Sequence, residues 1–415
     1  MPGRRAGSAG ARATVRLGAA PPAHLGAARP PPQLSREASP ALRDGLSGLA
    51  GDEEDGALEA LLAAPDRLQD GFDVAVAARL HVATRALSQG DLERADRHAR
   101  AAVRAAPGDP LPHALLSLAR SHRGDPAGAR EAMVAAHALA PDEPALALAA
   151  ARELATAGRF EEAARAADVY VREVPADALA RRWRERTAER AALTRGHARR
   201  SLAGVEIAWP DGAVASDRIG EVVALVTTTL SEVARLMRHA PRAELAVVVY
   251  GLPEEMRRAT CAPSWTGGVF DGVLHLDART LASDRWRRVV RHEAVHAQLS
   301  EVRGRIPHWL NEGLAQWMEG EPSPRAADAW RRMVRDRFWI PFASLEGRLM
   351  DIDDAADASL AYFQSLAMVR YLIDRRGLRG IEDALAHVEA GEETDLLERV
   401  VPGASGEALL AFLAR

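Results

Sequence analysis

The chain contains no lysine; all 54 basic residues among its 415 are arginine. With the high alanine content, this reads as coding bias rather than as function. The one cysteine, Cys261, excludes an intramolecular disulfide and says nothing about redox compartment. No stretch approaches the ~18 consecutive apolar residues of a membrane helix. A formal net charge of −4 implies no strongly basic surface, which argues against a general nucleic-acid binder. Neither a membrane nor a nucleic acid is therefore expected as a partner. Before Glu37 there are six arginines and no acidic residue, a resemblance to a targeting peptide in charge only. Pro21-Pro22 and Pro30-Pro31-Pro32 break any amphipathic helix there, and no apolar core follows the early arginines. Residues 1–50 are expected to be disordered and the location cytoplasmic.

What is present begins with a repeat. Gly90, Gly124 and Gly158 stand 34 apart, and so do Ala95, Ala129 and Ala163. Pro107, Pro141 and Pro175 keep this period, as do the acidic Asp109, Glu143 and Asp177. Glycine ends a first helix, a small alanine lets paired helices approach, and proline stops the second. The pattern resembles tetratricopeptide repeats, and three units meet the usual minimum for a stable stack. The arginine-rich run Leu179 to Thr194 suits a capping helix with one solvated face. Residues 51–198 are assigned to this helical unit. It is expected either to bind a partner or substrate protein on a concave surface or to act as a rigid spacer.

A second pattern occupies residues 199–415. Val205 to Trp209 and Glu244 to Tyr250 read as strands, Ile219 to Arg238 as a helix, and Gly267 to Asp277 as two strand fragments around glycines. Then comes Arg291-His292-Glu293-Ala294-Val295-His296. The apolar spacing of Trp286, Val289, Val290 and Leu299 suits a helix, with Ser283 or Asp284 as its cap. His292 and His296 then project from one face and can converge on a single ion. Glu293, displaced around the helix, can reach a water at that ion rather than the ion itself. Downstream, Pro307-His308-Trp309-Leu310-Asn311-Glu312-Gly313 reads as the start of another helix, with Trp309, Leu310, Leu314 and Trp317 as its buried stripe. Glu312 would face the first helix as a third ligand. Two imidazoles and one carboxylate leave a fourth position open, the pattern of a catalytic rather than structural zinc.

HEAVH followed by WLNEGLA resembles the gluzincin clan of zinc metallopeptidases, which includes thermolysin and the zinc aminopeptidases. The resemblance is closest to compact bacterial peptidase-MA-like domains and covers roughly residues 200 to 415. Fifteen residues separate His296 from Glu312, fewer than in the aminopeptidases, and no Gly-Ala-Met-Glu-Asn segment precedes the helix. These departures point away from an aminopeptidase proper. The resemblance implies one Zn²⁺ per chain, a strand bordering the cleft just before the zinc helix, and a Tyr-x-Gln-Ser helix beside it. On that match Tyr362 is a candidate oxyanion donor; a core tyrosine is the alternative. His275 and His308 are read as satisfied structural histidines or as cleft residues, and Cys261 as an ordinary free thiol.

The expected architecture is thus multidomain, an all-α tetratricopeptide-like solenoid followed by an α+β zincin-like metallopeptidase domain. Its expected activity is hydrolysis of a peptide or protein substrate through a metal-activated water. Alternatives are an inactive metallopeptidase-like scaffold that serves as a protein-interaction module, and an amidase acting on non-peptide substrates.

Overall fold

A computed structural model describes residues 74–263, 266–346 and 355–415. The expected disordered segment, residues 1–50, and the start of the helical unit to residue 73 lie outside the described residues. The described chain is mostly helical, with 17 α-helices and one five-stranded mixed sheet. It falls into two compact units, Met1–Leu115 and Leu116–Arg415.

In the first unit, α1 (Val74–Gln89) and α2 (Leu92–Ala105) form an antiparallel pair, and α3 (Pro110–His122) carries the boundary. In the second, α4 (Pro126–Leu139), α5 (Pro144–Thr156), α6 (Phe160–Glu173) and α7 (Ala178–Leu193) continue the helical series. The 34-residue markers have local causes. Gly90, Gly124 and Gly158 each take a left-handed φ at a helix end. The following amide turns back onto the preceding helix, as in Asp91 N to Ala86 O at 2.9 Å and Asp125 N to Arg120 O at 2.9 Å. Asp91 and Asp125 then cap the next helix by accepting from Arg94 N and Gly128 N. Ala95, Ala129 and Ala163 are fully buried, which is why only a small residue recurs there.

The sheet has the order β1-β2-β3-β5-β4. It comprises β1 (Ala198–Leu202), β2 (Val205–Trp209), β3 (Leu245–Tyr250), β4 (Gly268–Phe270) and β5 (Leu274–Asp277). The outer pairs β1/β2 and β4/β5 are antiparallel, and the inner pairs β2/β3 and β3/β5 are parallel. The inner pairs need crossovers, supplied by α8 (Ser216–Met237) and by α9 (Pro253–Thr260). All six residues of β3 are buried, because both faces of the sheet are covered. Leu245, Val247 and Val249 point into one core, with Ile219, Val222 and Val226 of α8. Ala246, Val248 and Tyr250 point into another, where Phe160 of α6 and Met256 of α9 meet them. The later helices of the 34-residue series therefore roof one face of the sheet.

After β5 come the short α10 (Ala278–Ala282), α11 (Trp286–Leu299) and α12 (His308–Met318). The chain closes with α13 (Pro324–Asp336), α14 (Ala355–Arg376), α15 (Arg379–Glu389), α16 (Leu396–Val400) and α17 (Gly406–Leu413). Helix α11 lies between two cores: Val290, Ala294 and Ala297 join the sheet core, while Val295 and Leu299 join a helical core with Trp309, Leu314, Val369 and Leu372. Its start differs from the expected one. Arg285 is the N-cap and makes no side-chain cap bond, because Ser283 closes α10 and donates its hydroxyl to Thr280 O at 2.8 Å. Helices α12 and α14 cross very closely at Gly313, where an added Cβ would stand 2.4 Å from Ser365 O.

Phe160, 1% exposed, contributes about 2–3 kcal/mol by its burial. Phe160→Ala should cost the second unit about 3–5 kcal/mol in urea unfolding. A loss below about 1 kcal/mol would show that the sheet does not depend on its helical roof.

Candidate metal centre

His292 and His296 lie one turn apart on α11, and their rings meet edge to face with centroids 4.7 Å apart. Their Nε2 atoms are 3.0 Å apart. Glu312 comes from α12, the next helix, and sets its Oε2 3.5 Å from His292 Nε2 and 3.7 Å from His296 Nε2. Among the described residues, these three form the one group of His, Cys, Asp or Glu side chains close enough to share a metal ion.

The donor set fits zinc. Ligands about 2.0–2.1 Å from a tetrahedral zinc stand roughly 3.3–3.4 Å from one another. The three edges here, 3.0, 3.5 and 3.7 Å, bracket that value. The outward nitrogens are already engaged. His292 Nδ1 donates to Glu319 Oε1 and His296 Nδ1 donates to Asn311 Oδ1, both at 2.8 Å. Such bonds fix each ring's orientation and tautomer, leaving Nε2 as the ligating atom. Arg288 in turn holds the other oxygen of Glu319 at 3.0 Å. Motif spacing did not single out Glu319 or Asn311. The available signal was helical: Glu319 follows Glu312 by seven residues, two turns along the same face.

The side chains of the cluster are strongly coupled electrostatically. Burial alone would lower the His292 pKa, but Glu312 and Glu319 outweigh it and hold it well above the ordinary value. The two acidic side chains of the cluster are driven apart. Burial raises the Glu293 pKa, against the lowering pull of His292 and His296. Burial would raise Glu312 too, but His296 and His292 prevail and hold it down to about 2. One carboxylate is thereby kept ionised while the other is made more basic.

Glu293 is 8% exposed and leans against the sheet edge. Its side chain packs on β4, where an added Cβ on Gly268 would stand 2.9 Å from its Cγ. Tyr362 sits half-buried on α14. Burial raises its pKa first, and the charges of Glu312 and Glu293 raise it further, so the hydroxyl keeps its proton and can donate. His308 opens α12 half-buried and near enough to Glu312 to lower that carboxyl's pKa. His275 lies elsewhere: fully buried, it bonds Asp271 and Tyr250 on the roofed side of the sheet, so the structural reading holds for it. Cys261 is exposed at the end of α9.

A family model described as the Peptidase MA superfamily matches residues 226–405. That stretch is a peptidase-MA-like domain. It contains α11, α12, α14 and every donor named above. No curated protein matches the chain. Among the described residues no helix is long and apolar enough to cross a membrane.

Replacing His292 and His296 together by Ala should abolish stoichiometric zinc, about one ion per chain by metal analysis. Glu319→Gln should keep the ligands but weaken zinc by about 10–100-fold in a chelator competition. Unchanged affinity in that variant would mean that Glu319 does not support His292.

Proposed function

We propose that the peptidase-MA-like domain is a zinc-dependent peptidase of the gluzincin type. The observation that carries this reading is the convergence of His292, His296 and Glu312, with Glu293 beside them and held apart from the ligand set. Proteins of this superfamily are typically zinc-dependent. Zinc in this position supplies a Lewis acid that acidifies water and polarises a carbonyl.

The chain's own residues do the rest. Glu293, one residue and ~100° around the helix from His292, takes the proton of the attacking water and passes it to the leaving amine. Tyr362 donates a hydrogen bond to the oxyanion that develops on the carbonyl carbon's oxygen. His292 and His296, oriented by Glu319 and Asn311, hold the ion with Glu312. The preceding tetratricopeptide-like helices are assigned to binding a protein partner or the substrate itself.

Two carboxylates with different roles give the sharpest test. Glu293→Gln should retain zinc while peptide turnover falls by at least ~10²-fold. Glu312→Gln should lose zinc and activity together, and excess zinc should restore part of both. Tyr362→Phe should keep zinc and lower kcat by about 10²-fold or less. Zinc content and cleavage of a proteome-derived peptide mixture, measured across a zinc titration, check all three. Loss of metal in Glu293→Gln with full activity in Glu312→Gln would reverse the assigned roles. A zinc-loaded wild type that cleaves nothing would favour an interaction scaffold.

A further inference from the structure

The roofed face of the sheet holds a buried charged network that plays no part in the chemistry above. Arg190 of α7 enters it with its side chain only 10% exposed. Its Nε donates to Ala259 O at the end of α9, at 2.9 Å, and its Nη2 forms an ion pair with Asp271 Oδ2. The other oxygen of Asp271 accepts from His275 Nε2 at 3.0 Å, and Tyr250 OH donates to His275 Nδ1 at 3.1 Å. Arg190 and His275, the buried members, thus meet on Asp271, and bonds matched in this way restrict how far the turn can move.

Its location matters more than its stability. Asp271 is the first residue of the β4–β5 turn and directly follows β4, whose Gly268 lies against the Glu293 side chain. Strand β4 is three residues long, sits at the sheet edge and pairs only with β5. So short an edge strand is held by its one partner strand, by the packing of Gly267 and Gly268 on Val289 of α11, and by its turn. That turn rests on the helical series twice, at Arg190 and at Thr156, whose methyl lies 3.7 Å from where a Cβ on Gly272 would be.

We propose that Arg190 is a positioning residue which, by gripping Asp271, sets strand β4 and, through the packing of Gly268 against the Glu293 side chain, the place of Glu293. The functional half of this proposal rests on the reading of Glu293 as the general base. It makes the end of the helical series part of the catalytic apparatus rather than a detachable neighbour. Lysine could keep one ion pair with Asp271 but could not also reach Ala259 O with the same planar fork.

The test uses the full chain, with Arg190→Gln, Arg190→Lys and Asp271→Asn, each also combined with Glu293→Gln. Hydrogen–deuterium exchange over residues 266–277, zinc content, and kcat and KM on an unstructured peptide are measured. In Arg190→Gln, exchange should quicken locally in β4 and its turn while zinc content stays at the wild-type value. Turnover should fall by about 10–10²-fold with KM changed less than about twofold, and Arg190→Lys should recover part of it. On the Glu293→Gln background, removing Arg190 should change the residual rate little, because the group it positions is already gone. Equal proportional losses on both backgrounds, or unchanged exchange in β4, would overturn the proposal. If Arg190→Gln fails to fold, Asp271→Asn releases the same turn and is judged by the same outcomes. If zinc-loaded wild type cleaves no peptide, the peptidase reading falls, while the exchange comparison still decides whether Arg190 sets β4.

Discussion

Everything around the candidate centre serves one constraint: three ligating atoms from two helices must meet within about 4 Å inside a partly dehydrated cleft. Two imidazoles on one helical turn converge by backbone geometry alone. The third atom does not, because Glu312 belongs to a helix whose position depends on the core beneath it. That core is formed by Val295 and Leu299 of α11 with Trp309 and Leu314 of α12 and Val369 and Leu372 of α14. The close crossing at Gly313 brings α12 and α14 together, and Gln316 fastens them by donating to Tyr362 O at 2.8 Å. Packing places the three side chains; hydrogen bonds donated by the rings to Asn311 and Glu319 then settle which way the rings face.

The two carboxylates show how burial and charge divide labour in a small space. Both Glu293 and Glu312 are desolvated, which by itself favours the protonated form of each. Glu312 lies between two imidazoles, and their attraction outweighs the burial. Glu293 points instead towards the sheet edge, so burial wins there. A difference of one residue from His292 and a different helix are enough to drive the two carboxyl groups apart in acidity.

The sheet connects this centre with the helical series. Strand β3 alternates strictly between two cores, and the second of these is completed by Phe160. A parallel strand with one face in water would leave Ala246, Val248 and Tyr250 exposed, so the roof is a requirement of the sheet. The charged network at Arg190 sits inside this junction, where the buried Arg190 and His275 are both matched by Asp271.

Much of this organisation was legible in the residues themselves. The period in Gly90, Gly124 and Gly158 marks real helix ends, since a left-handed turn selects glycine wherever it falls. The pair His292 and His296 and the displacement of Glu293 follow from the pitch of one helix, and the apolar stripe of α12 follows from the same pitch. Strands β2 and β3 were visible as short β-branched runs. Short elements were missed, among them β1, α9 and α10, because so few residues carry no measurable period. What only the tertiary structure decided were other long-range meetings: Glu319 and Asn311 behind the histidines, Phe160 under the sheet, and Arg190 on Asp271. Local pattern reports how a segment orients its own side chains. Which segments face one another is set by how the cores close, and no single stretch of sequence contains that information.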